Sequence, residues 1–279
     1  MQNYINISLS VNSELTDTAV AFLSLYNTDG IEEREGLLVV CFREENWNGE
    51  TRDSLVNTMK MVSPDIAIVS EEKVAEQNWN EIWEKEVPVI VVTDTVGIAP
   101  SRKIDQLNTK IKIEINPKMS FGTGTHPSTR LMCRMMEQHI APGTTWLDVG
   151  CGTGVLAVLA VRLGAAKVIA FDNNEWAIEN SKENFKLNDV ETAVELYDWD
   201  IDDVELPLAD GILANINLDI ILNSLPKFTK SLRKGSGLLI VSGILAENEE
   251  EVIEKAKSYA LTHVETMDDE EWVSITFRA

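Results

Sequence analysis

The chain has 279 residues, of which 44% are hydrophobic, which exceeds one ordinary domain and is enough to fill two cores. Its 24 basic against 46 acidic side chains leave a net charge of −22, which argues against a direct grip on nucleic-acid phosphates and suits attraction of a basic protein. Cys41, Cys133 and Cys151 are odd in number and lack metal-ligand spacing, so neither a disulfide framework nor a metal site is indicated.

The opening Met-Gln-Asn-Tyr-Ile-Asn has no basic segment, and no apolar run approaches the roughly 18 residues of a membrane span, so a soluble, cytoplasmic protein is expected. Hydrophobic periodicity then predicts strand Tyr4–Val11, helix Ser13–Tyr26, strand Leu37–Arg43, helix Glu50–Met61 and strand Ile66–Val69, with turns at Asp29-Gly30 and Asn48-Gly49. A β-α-β-β-α-β ferredoxin-like unit needs one more strand, which Gly30–Glu35 or the residues around Lys73 could supply. Residues 1–74 carry five basic and thirteen acidic side chains. Solubility is the plainer reading of any single acidic residue there.

Ala75–Glu86 reads as a connecting helix whose Trp79 and Trp83, one turn apart, pack on a neighbour. Val87–Val92 and Lys110–Ile115 read as strands flanking a loop that holds Pro100 and Ser101. The helix after Pro127 carries Leu131, Met132, Met135 and Met136 at helical spacing, a core stripe rather than a binding surface. From there strands alternate with helices through Val241, giving a mainly parallel sheet. Leu261–Thr266 and Trp272–Phe277, separated by the acidic turn Asp268–Glu271, form a closing hairpin.

Two segments carry the chemistry. Phe-Gly-Thr-Gly-Thr-His-Pro-Ser-Thr fills residues 121–129, and Asp148-Val-Gly150-Cys-Gly152-Thr-Gly154 lies between apolar runs in a strand–turn–helix context. Glycines there let the backbone approach a ribose and present amide donors at a helix N-terminus. A dinucleotide loop would want glycine where Val155 stands, so the spacing resembles the first motif of class I S-adenosylmethionine methyltransferases instead. Asp172, ending the next strand Lys167–Phe171, is placed to accept both ribose hydroxyl hydrogens, with capping of the helix Asn173–Leu187 as the alternative or additional role. Cys151 is a small filler in the loop.

With Asn215-Ile216 after the strand Asp210–Ala214, and Ser242-Gly243-Ile244 after Leu238–Val241, the whole resembles the ribosomal protein methyltransferase family called PrmA. The resemblance is clear over residues 75–260 and holds before that by layout only. It implies a Rossmann-like class I methyltransferase domain with a mainly parallel seven-stranded sheet over 119–279, a linker over 75–118 and a small α+β ferredoxin-like substrate-recognition domain over 1–74. It further implies S-adenosylmethionine as cofactor and protein eleven of the large ribosomal subunit as substrate, methylated on lysine and N-terminal α-amino groups, without nucleic-acid or membrane contact.

The resemblance assigns cofactor contacts to Thr129, Gly150, Asp172 and Asn215, and the motifs add Phe121, Gly122, Thr123, Asp148 and Gly152. Asn215 is the candidate for orienting the amine, its carbonyl accepting a hydrogen so that the lone pair faces the methyl group. Adenine and glutamine methyltransferases carry Asn/Asp-Pro-Pro-aromatic here, whereas Asn215-Ile216-Asn217-Leu218 lacks that stacking platform and suits a flexible aliphatic amine. Asn217 departs from the family's usual leucine, and His126 either touches substrate or holds the turn before Pro127. A different amine substrate, or a cofactor-binding ribosome-assembly factor without turnover, are the competing readings.

Overall fold

A computed structural model of the chain describes residues 3–12, 15–34, 36–75, 87–118 and 120–279. Two compact units divide it, Met1–Trp79 and Asn80–Ala279. In the first, β1 (Asn3–Ser10), α1 (Thr16–Leu23), β2 (Gly30–Arg34), β3 (Leu37–Arg43), α2 (Gly49–Val62) and β4 (Ala67–Ala75) build an antiparallel sheet of order β2-β3-β1-β4. Alternation along the strands sends Ile7, Leu9, Leu38, Val40 and Phe42 to one face, where Ala19, Leu23, Leu55 and Met59 of the two helices cover them. The Asn48 side chain starts α2 by accepting from the amides of Glu50 and Thr51, both at 3.0 Å.

The additional strand lies at Gly30–Arg34, in the Gly30–Glu35 stretch named as one of its two possible places. Only Ile31 of its five residues is even partly buried, so it shows no apolar alternation to detect. Lys73 instead extends β4 beyond the expected end at Val69. Helix α1 is described over a shorter span than Ser13–Tyr26, and Tyr26 turns its hydroxyl to Thr58 at 2.7 Å and Ser54 at 3.0 Å. The expected helix Ala75–Glu86, with Trp79 and Trp83, lies outside the described residues except for Ala75, which closes β4.

Among the described residues of the second unit, β5 (Ile90–Val91), β6 (Val96–Pro100) and β7 (Ile111–Ile115) form a sheet of order β5-β6-β7. Its central strand falls where a loop holding Pro100 and Ser101 is expected. Pro100 is the last residue of β6, and a Cβ at Gly97 would collide with Leu107 and Thr109.

There follow α3 (Pro127–His139), β8 (Thr145–Val149), α4 (Val155–Arg162), β9 (Lys167–Asp172), α5 (Glu175–Leu187), β10 (Val194–Asp198), β11 (Gly211–Asn215), α6 (Leu218–Ser231), β12 (Leu238–Leu245), α7 (Glu249–Ser258), β13 (Thr262–Asp269) and β14 (Trp272–Arg278). Their seven-stranded sheet runs β10-β9-β8-β11-β12-β14-β13 and is parallel except for β14, which pairs antiparallel with β12 and β13. One face buries Trp146, Leu213 and Ile240 against Met132, Met136 and Leu156, so the methionine stripe is core. The other buries Leu147, Ile212 and Val241 against Ile221, Phe228 and Val252.

Strand order reverses between β8 and β11, and in open α/β sheets a crevice forms at the carboxyl ends there. Asn180 and Asn184 on α5 and Asn188 capping its C-terminus are buried at successive turns. Asn188 and Asn184 accept from the amides of Glu114 and Asn116 at 3.0 and 2.7 Å, completing the open edge of β7 with side-chain amides. Asn184 also donates to the Thr153 carbonyl at 2.9 Å, joining that edge to the glycine loop.

Candidate active site

A cavity of about 500 Å³ opens at those carboxyl ends, bounded by Val149 at the end of β8 and Gly150 after it, Asp172 at the end of β9, Trp199 after β10 and Asn215 at the end of β11. Its floor is the turn from β8 into α4, where Gly150, Gly152 and Gly154 have φ of +68°, +55° and +77°. These are conformations that L side chains avoid. A Cβ at Gly150 would come within 2.5 Å of the Ile216 side chain, and one at Gly152 would press into the carbonyl oxygen of Phe121. That oxygen accepts from the Thr153 amide at 2.9 Å, and the Thr153 hydroxyl donates to the Gly122 carbonyl at 2.8 Å. The two motif segments therefore interlock.

Asp172 ties the loop from the other side, accepting from the Gly152 amide through Oδ2 and the Asn174 amide through Oδ1, both at 3.0 Å. The cap of α5 is Asn174, not Asp172. On the expected ribose role, replacing Asp172 by Ala weakens S-adenosylmethionine binding by about 1–3 kcal/mol, since the Gly152 amide also loses its acceptor. Calorimetry measures this, and a variant that binds as tightly as the parent would remove the ribose role.

Asp148 lies beneath the loop and is fully buried. Its Oδ2 accepts from the Ala157 amide at 3.0 Å, and its Oδ1 has no partner. Burial, only partly opposed by that amide, pushes its carboxyl up from 3.8 to about 7, with the charge of Asp172 adding to the rise. A folded-state value above the unfolded one means that the stability contribution is complete below pH 3.8 and is lost as pH rises towards about 7. Asp148→Asn removes this titration, so it should gain on the parent by a few kcal/mol, at most about 4, between pH 4 and pH 8. Denaturant unfolding across that range is the measurement, and parallel curves for the two proteins would mean that Asp148 folds ionised.

Asn215 ends β11 beside Ser242 of β12. Its Nδ2 donates to the Thr129 hydroxyl at 3.4 Å, and its Oδ1 is buried without a partner. Gly243 lets the backbone pass close beneath, since a Cβ there would strike the Ile216 carbonyl. Of the residues expected in the site, Phe121, Gly150, Gly152, Asp172 and Asn215 line the cavity. Gly122, Thr123, Thr129 and Asp148 stand behind that lining. Thr129 is wholly buried, and Thr123 pairs its hydroxyl with Thr125 at 2.9 Å.

His126 holds the turn before Pro127 and also borders the cavity. Its Nδ1 caps α3 by accepting from the Ser128 amide at 3.2 Å, and its ring borders the cavity between Phe121 and Trp272, with centroids 5.2 and 4.6 Å away. Burial, helped by the charge of Arg130, lowers its pKa and favours the neutral ring that the cap requires. Sequence reasoning missed the tryptophans. Trp199 stacks on Tyr197 at 4.0 Å, and Trp176 and Trp272 reach the rim. For Trp199 the signal was available, because it directly follows a parallel strand at the carboxyl edge of the sheet. Asn217 also reaches the rim, at the cap position of α6, where its side chain makes no capping bond. Cys151 is buried beside Ser181, and burial raises its thiol pKa. Among the described residues no cluster of His, Cys, Asp and Glu could hold a metal, and no helix is long and apolar enough to cross a membrane.

A family model described as ribosomal protein L11 methyltransferase (PrmA) matches residues 4–279. The chain belongs to the PrmA family. Relatives of that name from Chlorobaculum parvum and Oceanobacillus iheyensis are 34% and 32% identical to it. The first alignment covers 98% of this chain and 95% of that protein, and the second covers 91% and 83%. A solved PrmA-type structure, the ribosomal protein L11 methylase of Lactobacillus delbrueckii subsp. bulgaricus, aligns with a TM-score of 0.62 at 26% identity, over 68% of this chain and 96% of that one. The methyl donor is S-adenosylmethionine. The site's residues fit it, with a cradle that Cβ atoms would fill, a carboxylate beside it and one orphaned amide oxygen.

Proposed function

We propose that this chain transfers methyl groups from S-adenosylmethionine to lysine side-chain and N-terminal amino nitrogens of ribosomal protein L11. The observation that carries the reading is the Asn215 amide oxygen, buried and without a partner in the same cavity as the glycine loop. When bound, S-adenosylmethionine supplies a methyl group on a positively charged sulfur. Gly150 and Gly152 let the backbone approach the nucleoside, Asp172 accepts from the ribose, and Phe121 closes the near side. Asp148, Gly122, Thr123 and Thr129 hold those residues in place.

Thr129 engages the Asn215 amide nitrogen, which leaves Oδ1 free to accept a hydrogen from the incoming amine and aim its lone pair. A lysine amine has a reference pKa near 10.4, so roughly one in a few thousand is neutral at pH 7. Desolvation on entering the cavity, beside the positive sulfur, disfavours the charged form and raises that fraction.

The β-α-β-β-α-β order of the first unit and its sheet order β2-β3-β1-β4 support a ferredoxin-like reading. Residues 1–74 are assigned to substrate selection, 75–118 to the connection and 119–279 to transfer. Five basic against thirteen acidic side chains in residues 1–74 suit a basic protein substrate. Such a substrate requires no nucleic-acid contact and sets the reaction in the cytoplasm.

Mass spectrometry of purified ribosomal protein L11 after incubation with this chain and S-adenosylmethionine should show added methyl groups. An unmodified protein, with cofactor bound, would make the chain a binding module. In the same assay a chain starting at Asn80, once shown to be folded, should bind S-adenosylmethionine normally yet lose about 10²-fold in methylation of the intact substrate, because tethering no longer raises its effective concentration. Undiminished turnover would leave the first unit as a structural or assembly element.

A further inference from the structure

One cation ties together two segments that border the cavity. Arg130 of α3 donates through Nη1 to the Thr125 carbonyl at 2.5 Å and through Nε to Asp269 Oδ2 at 3.2 Å, and its Nη2 stands 3.5 Å from Glu270 Oε1. Arg134, one turn along, donates to the same Asp269 oxygen at 3.2 Å. Thr125 immediately precedes His126, and the Asp269–Glu270 turn leads into Trp272. Those two rings meet edge to face in the cavity wall.

The turn needs an outside restraint. Glu270 has φ of +57°, a conformation suited to glycine, and it sits in an unbroken acidic run from Asp268 to Glu271. Such a conformation persists only where the surroundings impose it, and two arginines offset the charge repulsion here. The side chains of Arg130 and Asp269 are only 20% and 19% exposed, so solvent screens this pair less than a surface one. The hairpin does not depend on Arg130 for its place against α3. His139 bonds Glu265 at 2.5 Å, and the hydroxyls of Ser274 and Thr276 meet the sulfurs of Met132 and Met135 at 3.6 and 3.5 Å.

We propose that Arg130 is a positioning residue for the methyl acceptor: through the Thr125 carbonyl and the Asp269–Glu270 turn it holds His126 and Trp272 as one wall that aligns the aliphatic arm of the substrate amine. The inference rests on the reading of this cavity as the site of methyl transfer. Loss of the tie leaves the glycine loop and Asp172 untouched, so cofactor binding and acceptor alignment separate.

The test uses the full-length chain with purified ribosomal protein L11 at saturating S-adenosylmethionine. Arg130→Gln and Asp269→Asn are made singly and together, Arg130→Lys serves as the conservative variant, and thermal melts confirm folding. Each of Arg130→Gln and Asp269→Asn should lower kcat about tenfold or more while cofactor affinity by calorimetry stays within about twofold of the parent. The double variant should be no slower than the slower single one, because both changes cut one linkage. Arg130→Lys should recover part of the rate, since an ammonium reaches one carboxylate but cannot span three partners. Given an active parent, additive losses, a matching fall in cofactor affinity or unchanged kinetics would overturn the proposal alone. A parent that binds cofactor but leaves the ribosomal protein unmethylated would overturn the functional reading and this inference with it.

Discussion

Asn215→Ala should reduce turnover by about 10²–10³-fold, the range found when a preorganised group at the reacting atom is removed. Its amide oxygen is buried and has no partner within the protein, while its nitrogen is held by Thr129 at 3.4 Å. An orphaned acceptor so fixed is prepared for a donor from outside, which in the proposed reaction is the amine nitrogen. Cofactor affinity should fall by no more than about 1 kcal/mol, because Gly150, Gly152 and Asp172 keep their geometry. Asn215→Asp is the informative companion. A carboxylate accepts equally well but stabilises the ammonium form, so residual activity should shift to higher pH. Single-turnover rates and calorimetry on the same preparations separate the two quantities. Equal losses in rate and affinity would reduce Asn215 to a cofactor contact.

Gly152→Ala should cost about 2–4 kcal/mol of stability and abolish measurable cofactor binding, combining a left-handed backbone with a collision that cannot relax. The position has φ of +55°, and the added Cβ meets the Phe121 carbonyl oxygen. Retreat is blocked on every side. The Phe121 oxygen holds the Thr153 amide at 2.9 Å, the Gly152 amide is bonded to Asp172 at 3.0 Å, and the Gly152 carbonyl accepts from Ser181 at 2.7 Å. Gly143→Ala provides the control, since its φ of +82° is equally left-handed but no atom lies within 4 Å of the added carbon. That variant should lose only about 1 kcal/mol. Denaturant unfolding of both compares strain alone with strain plus collision. If Gly152→Ala is no less stable than Gly143→Ala, the contact between the two motif segments does not constrain the loop.

The features legible in the sequence are those written locally. The positive φ of Gly150, Gly152 and Gly154 calls for glycine whatever surrounds it, and an apolar run ending in Asp172 declares a buried parallel strand from its own composition. The parallel sheet, the methionine core of α3 and the acidic hairpin turn followed from such periodicities. Strand β2 did not, because an edge strand with acidic outward faces is stabilised by pairing with β3 rather than by its own pattern. Strand β6 falls in the stretch expected as a loop around Pro100, and its Gly97 is fitted to Leu107 ten residues away, a contact the sequence does not display. The site divides the same way. Gly152 and Asp172 were visible singly, but that the Asn215 amide is held through its nitrogen, leaving its oxygen without a partner, depends on Thr129, 86 residues earlier in the chain. The wall of Phe121, His126 and Trp272 exists only because α3 packs on the hairpin. Backbone conformation and burial period are properties of neighbouring residues and leave their mark on residue type, whereas pairing, orphaned polar atoms and converging rings are properties of distant partners. Those are determined only when the chain has closed on itself.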